Sequence, residues 1–216
     1  MPRALEAARR ALELDSDLAE AHNAMACASL LYDLDYDLAE QEFRRALELN
    51  PKYPQAVAWH GLFMLQWISE REQEGRDVML ELVQLDPLSA YANIILCFYD
   101  VSSCRISEAV EHGKRGVELD PKSCLAHWGC SVALEYDGQH EEAAAICERA
   151  LAMSGRHSWP LITLASTYAA WGKPEKAGAV FRELEARSER EYIQPAMLTA
   201  AAAAVGEIDQ AMVFAQ

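Results

Sequence analysis

Between Lys122 and Gly155 the chain reads KSCLAHWGCSVALEYDGQHEEAAAICERALAMSG, and its apolar positions fall into two helical stripes. The first stretch, Ser123 to Tyr136, sets Leu125, His127, Trp128, Cys130 and Leu134 among small residues. The second, His140 to Met153, places Ala143, Ile146, Cys147, Ala150 and Leu151 at i, i+3, i+4, i+7 spacing, which is one side of an α-helix. Asp137-Gly138 separates the two, and glycine there suits the left-handed residue that ends a helix. Two such helices cannot bury their stripes on each other alone, so the unit requires neighbours of the same kind.

Those neighbours are written along the chain. Counting back from Ala143, small residues recur at Ala109, Gly75, Ala39 and Ala4, after 34, 34, 36 and 35 residues; forward, Ala177 and Ala211 follow at 34 each. Asn50-Pro51, Asp86-Pro87 and Asp120-Pro121 close the runs ALEL, LVQL and GVEL in the same phase, and Gly138, Gly172 and Gly206 share the period. The pattern predicts an all-α solenoid of antiparallel helix pairs forming one continuous domain. Residues 2–14 read as an orphan second helix, five full pairs follow at about 19–51, 54–87, 90–121, 124–155 and 158–188, and 192–216 is a partial pair. In the first pair the connection YDLDYD is one residue longer than the standard turn. In the second, the turn falls in SEREQEGRD (69–77) with Gly75 at an alanine position, which predicts looseness there, since glycine inside a helix costs about 1 kcal/mol relative to alanine. The opening in mid-repeat and the apolar close at Met212, Val213 and Phe214 suggest an array cut from a longer polypeptide, with exposed ends able to form homo-oligomers.

Composition narrows the function. A net charge of −15 argues against a nucleic-acid backbone as ligand, because phosphate neutralisation needs clustered Lys and Arg. It favours instead a basic partner segment drawn in by long-range attraction. No apolar run has the ~20 residues of a membrane span, so no membrane insertion is expected, and PRALEAARRALELD begins as an amphipathic helix rather than a signal peptide. The six cysteines form no CxxC pair and sit where small or apolar residues are expected, as buried free thiols of a reducing compartment.

The 34-residue helix–turn–helix period, with small residues and closing prolines at fixed phase, resembles the tetratricopeptide repeat family over the whole chain. Two stretches resemble more closely the C-terminal arrays of bacterial signalling proteins that carry winged-helix, serine/threonine kinase or nucleotide cyclase domains. These are LLYDLDYDLAEQEFRRALELNPKYPQA (30–56) and YIQPAMLTAAAAAVGEIDQA (192–211). The resemblance implies a right-handed superhelix whose first helices line a concave groove. Applied to this sequence, the family's inner-face positions place Asn23, Leu62, Tyr91, Ile94, Phe98, Trp128, Val132, Trp159 and Ile162 in the groove, with Trp59 and Tyr136 beside them. An apolar, aromatic groove suits a helix or extended peptide with aromatic anchors. The family's carboxylate clamp for acidic tails needs Lys, Asn and Arg on that face, and only Asn23 fits.

Catalytic chemistry finds no footing. Cys124, His127 and Cys130 have a metal-like spacing, but they span about 120° of one helix and converge poorly on a tetrahedral ion, so they read as packing residues. No nucleophile elbow and no phosphate-cradling glycine loop is present, and no cofactor is implied. The sequence therefore predicts a non-catalytic module that binds a protein or peptide segment, the sensor or scaffold part of a larger bacterial signalling protein. A structural or self-association module is the alternative. The expected compartment is the cytoplasm, or the periplasm where such an array follows a membrane span.

Overall fold

The computed structural model describes residues 2–68 and 71–215, without the side chains of Pro2, Ala4 and Trp67; every regular element among them is helical. The chain forms two compact units, Met1–Tyr99 and Asp100–Gln216. The first holds α1 (Pro2–Leu14), α2 (Ala19–Ala28), α3 (Tyr36–Leu49), α4 (Pro54–Ala58), α5 (Glu72–Leu85) and most of α6 (Ala90–Ser102). The second holds α7 (Ile106–Leu119), α8 (Cys124–Tyr136), α9 (His140–Ser154), α10 (Ser158–Ala170), α11 (Pro174–Ser188), α12 (Pro195–Val205) and α13 (Ile208–Phe214). Helices pack on their neighbours in chain order from α1 to α5 in the first unit and from α7 to α13 in the second.

The repeat junctions are one device used four times. Asp15, Asn50, Asp86 and Asp120 each end a helix, and each Oδ1 accepts the N–H two residues on, at 3.0, 3.3, 3.2 and 3.1 Å. This Asx turn competes with further helix, and the proline that follows three of the four removes the N–H a continuing helix would need. Between the helices of a pair, one left-handed residue reverses the chain. Gly138, Gly172 and Gly206 fill it at φ +77, +72 and +86°, whereas Leu34 and Cys104 hold the same phase at φ 55 and 58°. A residue with a Cβ is strained there, and the period alone gave no sign that Leu34 and Cys104 would adopt it.

The sequence places the extra residue of the first pair in its inter-helix turn; the structure places it inside a helix, and of the second pair's expected turn at 69–77, residues 69–70 lie outside the described residues while the chain is helical again from Glu72. α2 runs on into a π-helical segment, Ser29–Asp33, and α4 into a longer one, Trp59–Ile68. The N–H that opens each second helix reaches back five residues in four pairs, as in Arg105 to Asp100 and Gln139 to Leu134, but six in Asp35 to Ser29 and Arg71 to Leu65. From junction residue to this opening N–H takes 19 residues in Asp86–Arg105 and Asp120–Gln139, 20 in Asp15–Asp35 and 21 in Asn50–Arg71. From that N–H to the next junction it is 15 every time. A π-turn closes a ring one residue larger than an α-turn, so π-wound first helices absorb the insertions and leave the second helices in register.

Gly75 corrects a second expectation. It is buried, and a Cβ on it would lie 2.9 Å from the Gly61 carbonyl oxygen and 3.0 Å from the Tyr99 hydroxyl. Tyr99 is itself fully buried and donates to the Glu72 carbonyl. The glycine marks a close approach of helices, not a loose segment. The core around it holds Leu62, Met79, Leu82 and Leu96, while Ala26, Leu30, Ala39, Phe43 and Met64 form a neighbouring cluster. In the second unit, Leu151, Leu161, Leu164, Phe181, Leu184 and Leu198 make the main core, and Cys130, Leu134 and Ala143 a smaller one. All six cysteines are free; Cys97, Cys130 and Cys147 are buried, and Cys104 is exposed.

The first unit's core can be probed at two residues. Gly75→Ala gains helix propensity of about 1 kcal/mol but drives a methyl against backbone at Gly61, so the net is a loss of about 1–3 kcal/mol in urea unfolding; a stabilised variant would refute the close approach. His60, 5 % exposed, packs 5.8 Å from the Phe43 ring, and neither ring nitrogen meets a protein hydrogen-bond partner. Burial lowers its pKa from 6.5 to about 4. The unfolded chain therefore binds the proton first, and His60's contribution is complete above pH 6.5 and lost as the pH falls towards 4. That loss is about 3 kcal/mol. Urea midpoints measured against pH should fall less steeply across this window in His60→Leu than in the native chain.

Candidate functional site

The eleven groove residues expected from the sequence separate into accessible and buried sets. In the first unit, Asn23 on α2, Leu62 on the π-helical continuation of α4 and Ile94 on α6 are 8 %, 5 % and 1 % exposed, so these three cannot meet a partner as the structure stands. The reason differs in each case. π-Winding changes which side of the helix Leu62 faces. α6 is buried around most of its circumference, from Ala92 through Cys97 without a break, so no stripe is left over at Ile94. Asn23 sits with its Oδ1 enclosed and without a protein hydrogen-bond partner.

Trp59, Tyr91 and Phe98 are half-buried. Trp59 stacks on Phe63 with ring centroids 4.5 Å apart, a partner one helical turn on that the groove frame did not select. Burial pushes the Tyr91 hydroxyl up to about 12 and the Cys27 thiol to about 12, and it raises Tyr53, whose shift is enlarged by Glu20 and Cys27. Cys27 is thus a neutral thiol, with none of the thiolate character of a reactive cysteine. Tyr53, placed just before Pro54, was also missed; the signal for it was an aromatic residue at a repeat junction.

The second unit brings the predicted residues together. α8 contributes Trp128, Val132 and Tyr136, and α10 contributes Trp159 and Ile162. Trp128 and Trp159 face each other at 5.0 Å between ring centroids with a 40° tilt. The Trp128 indole N–H donates to Thr163 Oγ1 at 2.9 Å, which fixes the ring across α10. Trp159 is 41 % exposed, its backbone N–H donates to His157 Nδ1 at 3.3 Å, and the His157 ring meets its indole edge-on at 5.7 Å. Val132 and Ile162 are half-buried, Ile162 against the main core, and Tyr136 is 67 % exposed.

Beyond the tryptophans lies a polar cluster formed by Glu135 of α8 and hydroxyls of α10. Glu135 Oε1 accepts from Ser166 Oγ at 2.6 Å and Glu135 Oε2 from Thr167 Oγ1 at 2.8 Å. Burial raises the Glu135 carboxyl above its ordinary range, and the two hydroxyl hydrogen bonds oppose that shift. Thr163 and Thr167 were not foreseen; their signal was the Thr-x-x-Ser-Thr spacing on α10, which sets three hydroxyls on adjacent turns.

The cysteine–histidine constellation is otherwise engaged. His127 is buried with Nδ1 2.9 Å from the Ser123 carbonyl, Cys124 Sγ donates to the Ala150 carbonyl at 3.5 Å, and Cys130 lies in the small core. A concavity of about 530 Å³ lined by residues such as His140, Glu142 and Trp171 uses none of the predicted groove residues. Among the described residues no helix is long and apolar enough to cross a membrane.

The two tryptophans should separate in unfolding experiments. Trp128→Ala removes a half-buried ring and the indole hydrogen bond to Thr163, a loss of about 3 kcal/mol in urea unfolding followed by circular dichroism. Trp159→Ala should cost about 1 kcal/mol. The reverse order would make Trp159 the core residue.

Comparison with known proteins follows the same lines. The family model for the tetratricopeptide repeat matches residues 19–53. No curated protein matches the sequence. Among solved structures, TTC0263, a thermophilic tetratricopeptide repeat protein of Thermus thermophilus, is 20 % identical with a TM-score of 0.72, over 87 % of this chain and 98 % of that one. Pseudomonas aeruginosa pilF is 19 % identical with a TM-score of 0.60, over 85 % and 82 %. YrrB, described as a tetratricopeptide repeat protein with an unusual peptide-binding site, is 18 % identical with a TM-score of 0.51, over 97 % of each chain. Residues 19–53 are a tetratricopeptide repeat, and the chain has the tetratricopeptide-repeat fold.

Proposed function

We propose that the chain is a non-catalytic protein-interaction module that binds a peptide or helix of a partner along the α8–α10 face of the Asp100–Gln216 unit. One observation carries the reading: Trp159 stands 41 % exposed against a Trp128 that is held in place by its own hydrogen bond. A large, rigid, half-exposed aromatic pair is the usual anchor of a protein interface, because it buries much area on binding and loses few rotamers. The half-buried Val132 and Ile162 extend the apolar surface along the same helices. The peptide-binding site reported for YrrB supports the fold's suitability for this role. The likeness of 30–56 and 192–211 to bacterial signalling arrays makes a sensor or scaffold part of such a protein the favoured setting.

Self-association has its own support. On α13, Ile208, Met212 and Val213 are 59 %, 63 % and 68 % exposed, an apolar surface that a second copy could cover.

The test is capture of partners from a bacterial lysate on the immobilised chain, run beside Trp159→Ala. A partner held by the native chain should bind the variant about 2 kcal/mol more weakly, while the variant's helical signal is unchanged. Equal capture by both would move the binding surface elsewhere. A concentration-dependent dimer in sedimentation, abolished by Met212→Glu, would favour self-association.

A further inference from the structure

The reading of the α8–α10 face as peptide-binding leaves Glu135 without a role, and its surroundings give it one. We propose that Glu135 receives the basic side chain, Lys or Arg, of a peptide whose apolar residue packs on Trp159. This deepens the proposed function and rests on it.

Glu135 is a half-buried carboxylate with no Lys or Arg partner among the described residues. Ser166 and Thr167 hold its two oxygens, but hydroxyls are neutral donors, and each also lies within reach of the Thr163 carbonyl, at 2.9 and 2.7 Å. Each hydroxyl has one hydrogen, so the carboxylate shares its donors with a backbone oxygen. The small lowering that His140 exerts on the Glu135 carboxyl is outweighed by burial. Two other partly buried carboxylates, Glu183 and Glu40, are treated differently. Glu183 is gripped by Arg156 through two hydrogen bonds of 2.7 and 2.6 Å, and Glu40 pairs with Arg44 and Arg71. Both carboxyls are held below their ordinary range, whereas that of Glu135 is raised by burial. A desolvated anion lacking a countercharge is costly, and an incoming ammonium or guanidinium would supply that charge.

The spacing defines the ligand. Trp128, Val132 and Glu135 lie at i, i+4, i+7 on α8, and Trp159 and Ser166 are also seven residues apart on α10. The helices touch at the tryptophan pair and again at the Glu135–Ser166 hydrogen bond. Seven helical residues cover about 10 Å, which an extended peptide spans in about three residues. The expected ligand has Lys or Arg about three positions from a large apolar residue, with a small apolar residue between to lie on Val132 and Ile162. The chain's net charge of −15 adds long-range attraction for a basic segment.

Random dodecapeptides displayed on phage and selected against the whole chain test this. The strongest peptide should carry that pattern, and replacing its basic residue by norleucine should weaken binding to the native chain about tenfold or more. In Glu135→Gln the two peptides should bind alike. Carbodiimide coupling of a lysine-bearing peptide, mapped by mass spectrometry, should place the new amide on Glu135, a readout that needs no variant. Absence of any selected peptide would overturn the peptide-binding reading itself. Selected peptides without a basic residue, a norleucine peptide that binds equally, or an amide on another carboxylate would overturn the role of Glu135 and leave the groove standing.

Discussion

The structure depends on how closely the second helix of each pair lies against its neighbours. At the phase of Ala39, Gly75, Ala109, Ala143, Ala177 and Ala211 every residue is buried, and none is larger than alanine. Where the distance is least, at Gly75, even a methyl would meet backbone. Close packing of this kind brings the flanking apolar stripes into contact along their length, and burial of those stripes is what a helix pair cannot achieve alone. The small residue is therefore the constraint, and the leucine and phenylalanine clusters around it are its consequence.

That constraint explains why insertions take the form they do. An extra residue in a second helix would rotate the small position away from its partner and leave a bulky side chain in its place. An extra residue late in a first helix can be absorbed by π-winding, with the N–H that opens the second helix reaching back six residues instead of five. The constant stretch of 15 residues from that N–H to the junction is the sequence trace of this asymmetry.

Helix pairs, junction turns and the period were legible because each has a local chemical mark: an Asx residue before proline, a glycine at a left-handed position, an amphipathic stripe. π-Winding has no such mark. Trp59–Ile68 reads WHGLFMLQWI, apolar nearly throughout, and a segment without a polar face shows no periodicity from which its winding could be counted. The same uniformity obscured the site. α6 offers apolar residues on every side, so a positional rule taken from other arrays selects Ile94 as readily as Phe98, and only burial separates them. In α8 and α10, polar residues interleave with the aromatics, the inner face is chemically distinct, and the rule brought Trp128 and Trp159 together.

The polar residues on that face also decide what kind of surface it is. An apolar groove can hold a flexible tryptophan that closes inward when nothing is bound, and opening it then opposes association. Here Thr163 fixes the Trp128 indole by its N–H, His157 lies edge-on to Trp159 and caps its backbone, and Ser166 and Thr167 hold both oxygens of Glu135. The three side chains at the centre of the face, Trp128, Trp159 and Glu135, are thus held already in the folded chain. Because ordering interface side chains costs about 0.5–1.5 kcal/mol apiece, a surface prepared in this way can bind a short segment with few contacts. The hydroxyls of α10 are thus as much a part of the binding face as the rings they orient.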